Sequence, residues 1–135
     1  MIAVDTSTSP IPSLTNGTLI FEVKDGFVRK DDARSKGDPY VQIRYGGKTY
    51  LTSFMRDTYS PVFNEEFRIH EFNIDHNITV NVFDRDILRD DLVGSFVVSP
   101  RNVLESSKQG QLVEYPFGRG GDFIRIKLRW ADMSV

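Results

Sequence analysis

Four aspartates crowd the stretch "VFDRDILRDDLVG", Val82 to Gly94: Asp84, Asp86, Asp90 and Asp91, with bare Ile87 and Leu88 between them. Carboxylates held so close repel one another and resist ionisation unless a cation sits among them. Asp84 and Asp86 are two apart at the end of a strand-like run. Residues two apart on a strand share a face, with Cα atoms about 6.5 Å apart. Both side chains can therefore turn toward one ion, or one can bridge two ions, while Asp90 and Asp91 return from the far side of the loop. An irregular set of oxygen donors suits calcium, which takes about six to eight, better than octahedral magnesium. A merely solvated acidic turn has no use for the isoleucine and leucine. They imply an apolar neighbour.

Other chemistries fit poorly. An EF-hand loop begun at Asp84 puts Leu88 at its fifth position, Arg89 where glycine belongs and Ser95 where the closing glutamate belongs. The Asp-x-Asp of haloacid-dehalogenase phosphatases continues with Thr or Val two residues on, where this chain has Leu88. It also needs a larger α/β domain, as does a glycosyltransferase Asp-x-Asp. His70 and His76 lie apart from any evident triad. The expectation is a binding protein, not an enzyme.

The elements that position the aspartates are strands. "TLIFEV" alternates Leu19, Phe21 and Val23. "YVQIRY" alternates Val41, Ile43 and Tyr45, and "ITVNVF" alternates Ile78, Val80 and Val82. "FIRIKLRW" sets Ile124, Ile126, Leu128 and Trp130 inward against Arg125, Lys127 and Arg129. Weaker strands fit "KTYLTSF", "VFNEEFRI", "GSFVVS" and "LVEYPF". About eight short strands parted by Gly, Pro, Asp and Asn signals predict an all-β antiparallel sandwich. "SPRNVLES" predicts one short helical turn from Pro100 to Ser106.

Composition narrows the classes further. The 135 residues suit one domain, expected over 18–131 between a loose N-terminal arm (1–17) and a short tail (132–135). Without cysteine there are no disulfides, thiol nucleophiles or sulfur zinc sites, which favours a reducing compartment. No apolar run approaches the roughly 20 residues of a membrane span, and "MIAVDTSTSPIPSLTNG" lacks the basic start of a signal peptide. Net charge is −2, yet 13 of the 19 acidic residues are aspartates. Setting aside any five of them leaves +3. That is a mildly basic body with an acidic spot, not the broad basic field of a nucleic-acid binder.

The second half of the site lies upstream, in "KDDARSKGDPYVQI", where Asp32 and Asp38 are six apart and Gly37 and Pro39 fix a turn before Tyr40. With these residues the sequence strongly resembles the C2 domain, the calcium- and phospholipid-binding module named after protein kinase C. "DARSKGDPYV", "SPVFNEEF" (with Ser60 in place of the usual Asn) and "VFDRDILRDDLVG" reproduce its three motifs in order. The resemblance implies an eight-stranded sandwich with loops gathered at one end, in the permutation resembling the phosphoinositide-phospholipase version. It implies calcium, two ions or more, between Asp32 and Asp38 on one side and Asp84, Asp86 and Asp91 on the other. The carbonyls of Asp31 and Arg85 would be further ligands. The stretch after Asp86 is one residue shorter than is common, so counting back from Gly94 selects Asp91 while leaving Asp90 open.

The apolar residues then have a role. The resemblance puts Ile87 and Leu88 at the tip of one calcium loop and Phe27 and Val28 at the tip of the other. Arg29, Lys30, Arg85 and Arg89 stand around them to meet an anionic, phosphatidylserine-like bilayer. Five carboxylates carry −5, and two calcium ions would leave −1. The implied function is calcium-dependent docking of a cytoplasmic, monomeric module at a membrane in trafficking or signalling. Calcium-independent protein binding is the alternative. A phosphoinositide headgroup groove would use Tyr40 and Lys48, although Tyr50 stands where a second lysine is expected.

Overall fold

Period-two alternation becomes eight strands in the computed structural model, which describes residues 16–29, 36–106, 109–118 and 120–131. They are β1 (Asn16–Phe27), β2 (Pro39–Tyr45), β3 (Lys48–Leu51), β4 (Val62–Asn73), β5 (Ile78–Asp84), β6 (Asp91–Val98), β7 (Leu112–Pro116) and β8 (Phe123–Trp130). One short helix, α1 (Pro100–Glu105), precedes β7. It starts with proline, whose missing N–H costs nothing at a first turn. Each expected strand is present, and β1 begins two residues before the domain start expected from sequence.

Two four-stranded antiparallel sheets, in orders β4-β1-β8-β7 and β3-β2-β5-β6, face each other. The C-terminal β8 lies beside β1, so strands from Asn16 onward complete both sheets, as the phospholipase-like permutation requires. Leu19, Phe21 and Val23, then Val41 and Ile43, then Ile78, Val80 and Val82, and finally Ile124, Ile126 and Leu128 form the shared core. Trp130 plugs the end of that core, its ring edge-on to Phe72 with centroids 6.5 Å apart. At the open side, Phe96 stacks on Tyr115 and Phe117, tying β6 to the segment of β7. Gly94 permits that closure, because a Cβ there would stand 2.5 Å from the Phe117 ring.

Two of the three basic residues in the outward row of β8 make local ion pairs. Arg125 grips Asp25 with two bonds of 2.7 and 3.0 Å, and Arg129 reaches Glu66 at 3.5 Å. No helix among the described residues is long and apolar enough to cross a membrane.

Candidate metal and membrane-docking site

Register brings Asp38, Asp84 and Asp91 to one end of the sandwich. Pro39 pairs with Asp84 and Asp84 with Asp91, so the ends of three adjacent strands meet there. A bulge makes this alignment: Val82 faces Gly94, yet Phe83 faces Leu92, so Val93 is the extra residue in β6. Without it Leu92 would stand opposite Asp84. The bulge therefore puts Asp91, the residue reached by counting back from Gly94, opposite Asp84.

Asp84 closes β5 with its side chain turned inward, only 4% exposed. The Asp38 amide donates to its Oδ1 at 2.7 Å, and the Arg85 amide returns a bond of 3.0 Å to the Asp38 carbonyl. Gly37 makes this approach possible, since a Cβ there would lie 2.9 Å from Asp84 Oδ1. Asp38 in turn accepts from the Asp57 amide at 2.7 Å. Asp86 stands exposed in the following turn. The donor set is all oxygen, which suits a hard cation. Among the described residues, no three acidic or histidine side chains converge closely enough to grip one. Asp31, Asp32 and Lys30, the expected contribution of the upstream loop, lie outside the described residues.

Asp90 has a different occupation. Its Oδ2 accepts from the Tyr40 hydroxyl at 2.5 Å and its Oδ1 from the Asp86 amide at 3.0 Å. The Tyr40 bond, then the Asp86 bond, hold this carboxylate below the usual range. Burial, followed by the bond to Asp90, pushes the Tyr40 phenol up to about 12. Tyr40 also stacks on Phe83, centroids 5.4 Å apart. Asp90 thus latches the 85–90 loop to the sheet face.

The loop tip is apolar and bare: Ile87 is 97% exposed and Leu88 94%. Arg85 and Arg89 flank them, both exposed. Val28 corrects the expectation of a second exposed tip. It is 3% exposed and belongs to the core, with its amide bonded to the Tyr59 carbonyl at 2.8 Å. Phe27 is half-buried between Tyr59 and Phe123. A lone apolar residue after a strand carries no sign of which way it points. Arg29 is exposed, its amide bonded at 3.3 Å to the buried Asp122, whose carboxyl is pushed up by burial.

The headgroup groove does not assemble from Tyr40 and Lys48. The two-residue hairpin at Gly46–Gly47 sets Lys48 opposite Tyr45, at the far end of β2. Strand alternation puts Tyr45 on the core side with Ile43, and Tyr40 on the outer side with Gln42. The lysine and the tyrosine are therefore on opposite faces.

Residues 52–61 form a third loop at this pole, between the expected strand "KTYLTSF" and the "SPVFNEEF" motif and overlapping the ends of both. Backbone bonds from Thr52 to Val41, Met55 to Pro39 and Thr58 to Gly37 stitch it beside Asp38. Asp57 adopts φ +50°, a conformation Asp tolerates better than most residues. The turn-forming run "RDTYSP" is the signal that could have found it.

A family model described as C2 domain matches residues 17–115. The chain is 33% identical over 90 residues to extended synaptotagmin-1 of Mus musculus, covering 64% of this chain and 8% of that protein. It is 35% identical over 71 residues to phosphatidylserine decarboxylase proenzyme 2 of Komagataella phaffii, covering 50% and 7%. Among solved structures, a calcium-bound pair of C2 domains from extended synaptotagmin 2 superposes with TM-score 0.72 at 20% identity, over 87% of this chain and 46% of that one. Human GIVD cytosolic phospholipase A2 superposes with TM-score 0.73 at 24% identity, over 89% and 17%. These structural likenesses concern the fold.

Proposed function

The chain belongs to the C2 domain family, and from that premise we propose that it docks on anionic phospholipid membranes in response to calcium. The observation that carries the reading is the pairing of two features at one pole. Asp38, Asp84 and Asp91 end neighbouring strands there, and Ile87 and Leu88 project bare from the adjoining loop. Calcium, when bound, supplies the positive charge that offsets these carboxylates and can share lipid phosphate oxygens.

In this reading Asp38, Asp84, Asp86 and Asp91 hold the ion, together with Asp32 and with the carbonyls of Asp31 and Arg85. Asp90 is not spent on the ion. It fixes the loop through Tyr40 and the Asp86 amide. Ile87 and Leu88 enter the apolar layer, while Arg29, Lys30, Arg85 and Arg89 meet anionic headgroups, each contributing about 1 kcal/mol. Without a cation the acidic pole opposes the same approach.

Co-sedimentation with phosphatidylserine vesicles, in calcium and in chelator, tests the reading beside an Asp84→Asn, Asp86→Asn variant. Binding that requires both calcium and the two carboxylates is expected. Binding indifferent to both sinks it. A second reading, calcium-independent protein binding, draws on exposed Leu51, Leu92 and Val97 on strands of the β3-β2-β5-β6 sheet. It predicts a complex that survives chelator.

A further inference from the structure

Leu19, Ile20 and Phe21 follow one another on β1 and are all buried, at 0, 2 and 0% exposed. Alternation sends Leu19 and Phe21 into the core and Ile20 to the outer face of the β4-β1-β8-β7 sheet, apart from the core cluster. An outward isoleucine that stays dry needs walls. Register supplies them. Ile20 stands between Arg68 on β4 and Arg129 on β8. The next rung sets Glu66, Glu22, Lys127 and Leu112 in a row across all four strands. The remaining wall is backbone. Gly110, at φ +78°, donates its amide to the Leu128 carbonyl at 2.8 Å, and its neighbour Gln109 accepts from the Trp130 amide at 2.7 Å. Ile20, Glu22, Glu66, Gly110, Lys127 and Arg129 together line a cavity of about 220 Å³.

The charges around this cup are loosely held. Glu22 and Glu66 oppose each other directly, a destabilising arrangement of like charges. Their cations keep a distance: Lys24 is 3.9 Å from Glu22, and Arg68 and Arg129 are 3.8 and 3.5 Å from Glu66. All three exceed the usual N–H···O hydrogen-bond length of about 2.7–3.2 Å. One rung on, Arg125 and Asp25 close to 2.7 Å. Lys127, half-buried opposite Glu22, has no ion pair among the described residues.

Two carboxylates face to face call for a shared cation, and a lysine without a carboxylate calls for an anion. An α-amino acid carries both charges in one small molecule, and an ammonium has three N–H donors, enough to serve Glu22 and Glu66 together. Pockets for drug-sized ligands run from about 300 to 1,000 Å³, so this smaller one suits a ligand the size of a single residue. The dry isoleucine at its floor favours an aliphatic side chain over a polar one.

We infer that this cup binds a free aliphatic amino acid, with its ammonium on Glu22 and Glu66, its carboxylate on Lys127 and its side chain over Ile20. The site lies on the opposite sheet from Asp84 and Asp91, and it stands or falls independently of calcium and membrane.

The test titrates the full chain, in chelator, with L-leucine and with two analogues of it. Isoamylamine and 4-methylpentanoate keep the side chain, but each carries only one of the two charges. NMR follows the Ile20 methyls and the Gly110 amide. Saturable movement of both with L-leucine is expected, each analogue binding at least about tenfold more weakly. Lys127→Gln and Glu22→Gln should each weaken L-leucine about tenfold. Both side chains are partly exposed, and a melt of each variant separates lost binding from lost fold. If either variant fails to fold, the analogue series still decides. Absence of saturable movement with L-leucine overturns the site. Equal affinity for either analogue overturns the zwitterion assignment, and unchanged affinity in both folded variants overturns the placement of its charges.

Discussion

Truncating both tip residues, Ile87→Ala with Leu88→Ala, separates membrane anchoring from folding. The side chains are 97% and 94% exposed, so the fold gains almost nothing from them. Exposed substitutions of this kind change stability by about 0.5 kcal/mol or less. Each change removes three carbons, and each buried carbon contributes about 0.8 kcal/mol. Full insertion of both residues therefore implies a loss near 5 kcal/mol, or between three and four decades of vesicle affinity. Half insertion implies about 2.4 kcal/mol, roughly fiftyfold. Val28→Ala is the control, since Val28 is 3% exposed and belongs to the core. It should lower folding stability by about 1.6 kcal/mol or more while leaving the affinity of the folded protein unchanged. Vesicle partitioning in calcium reads the first effect and thermal melts read the second. A double variant that binds within twofold of wild type would refute the anchoring argument. A double variant that melts several degrees early would refute the claim that the tip makes no packing contribution.

Four further outcomes follow from local geometry. Tyr40→Phe removes only the hydroxyl that latches Asp90, so calcium-dependent vesicle binding should weaken while the core is unchanged, which vesicle binding and a melt compared side by side would check. Because the folded phenol is pushed up to about 12 from 10.0, whatever stability this shift gives is fully present below pH 10. It is lost as pH rises through about 12, a loss that alkaline denaturation of wild type against Tyr40→Phe would reveal. Gly94→Ala drives a Cβ to 2.5 Å from the Phe117 ring and should cost about 1–3 kcal/mol in denaturant unfolding. Thr52→Val strands the Val41 amide, whose 2.9 Å bond to the buried Thr52 hydroxyl vanishes, and should cost a similar amount.

Much of this was legible from alternation. The inward rows of "FIRIKLRW" and "ITVNVF" hold residue for residue, because a period of two states which face is dry. Strand ends were less legible. β1 runs on to Phe27 through "KDGF", which reads as a turn, because Asp25 is paired with Arg125 across the sheet. β6 starts at Asp91, not at Gly94, since a bulge at Val93 leaves no compositional mark. The pairing of Asp91 with Asp84 depends on that bulge, which residue counting does not reveal. Motif position pairs Tyr40 with Lys48, whereas hairpin register assigns the face. β3 stops at Leu51, short of the "KTYLTSF" expected as a strand, because the chain from Thr52 turns back toward Pro39 and Gly37.

The placement of β8 beside β1 has a mechanical consequence. Leu19 stands opposite Trp130, so the first strand enters and the last strand leaves at the same end, away from Asp84. A pull on both flanks of the folded unit loads this pair from one end. Its rungs then break in sequence, like a zipper, instead of resisting together in shear. Such a unit yields at low force, and the pole that carries Asp84 and Asp91 is the last part of the β1–β8 seam to feel the load.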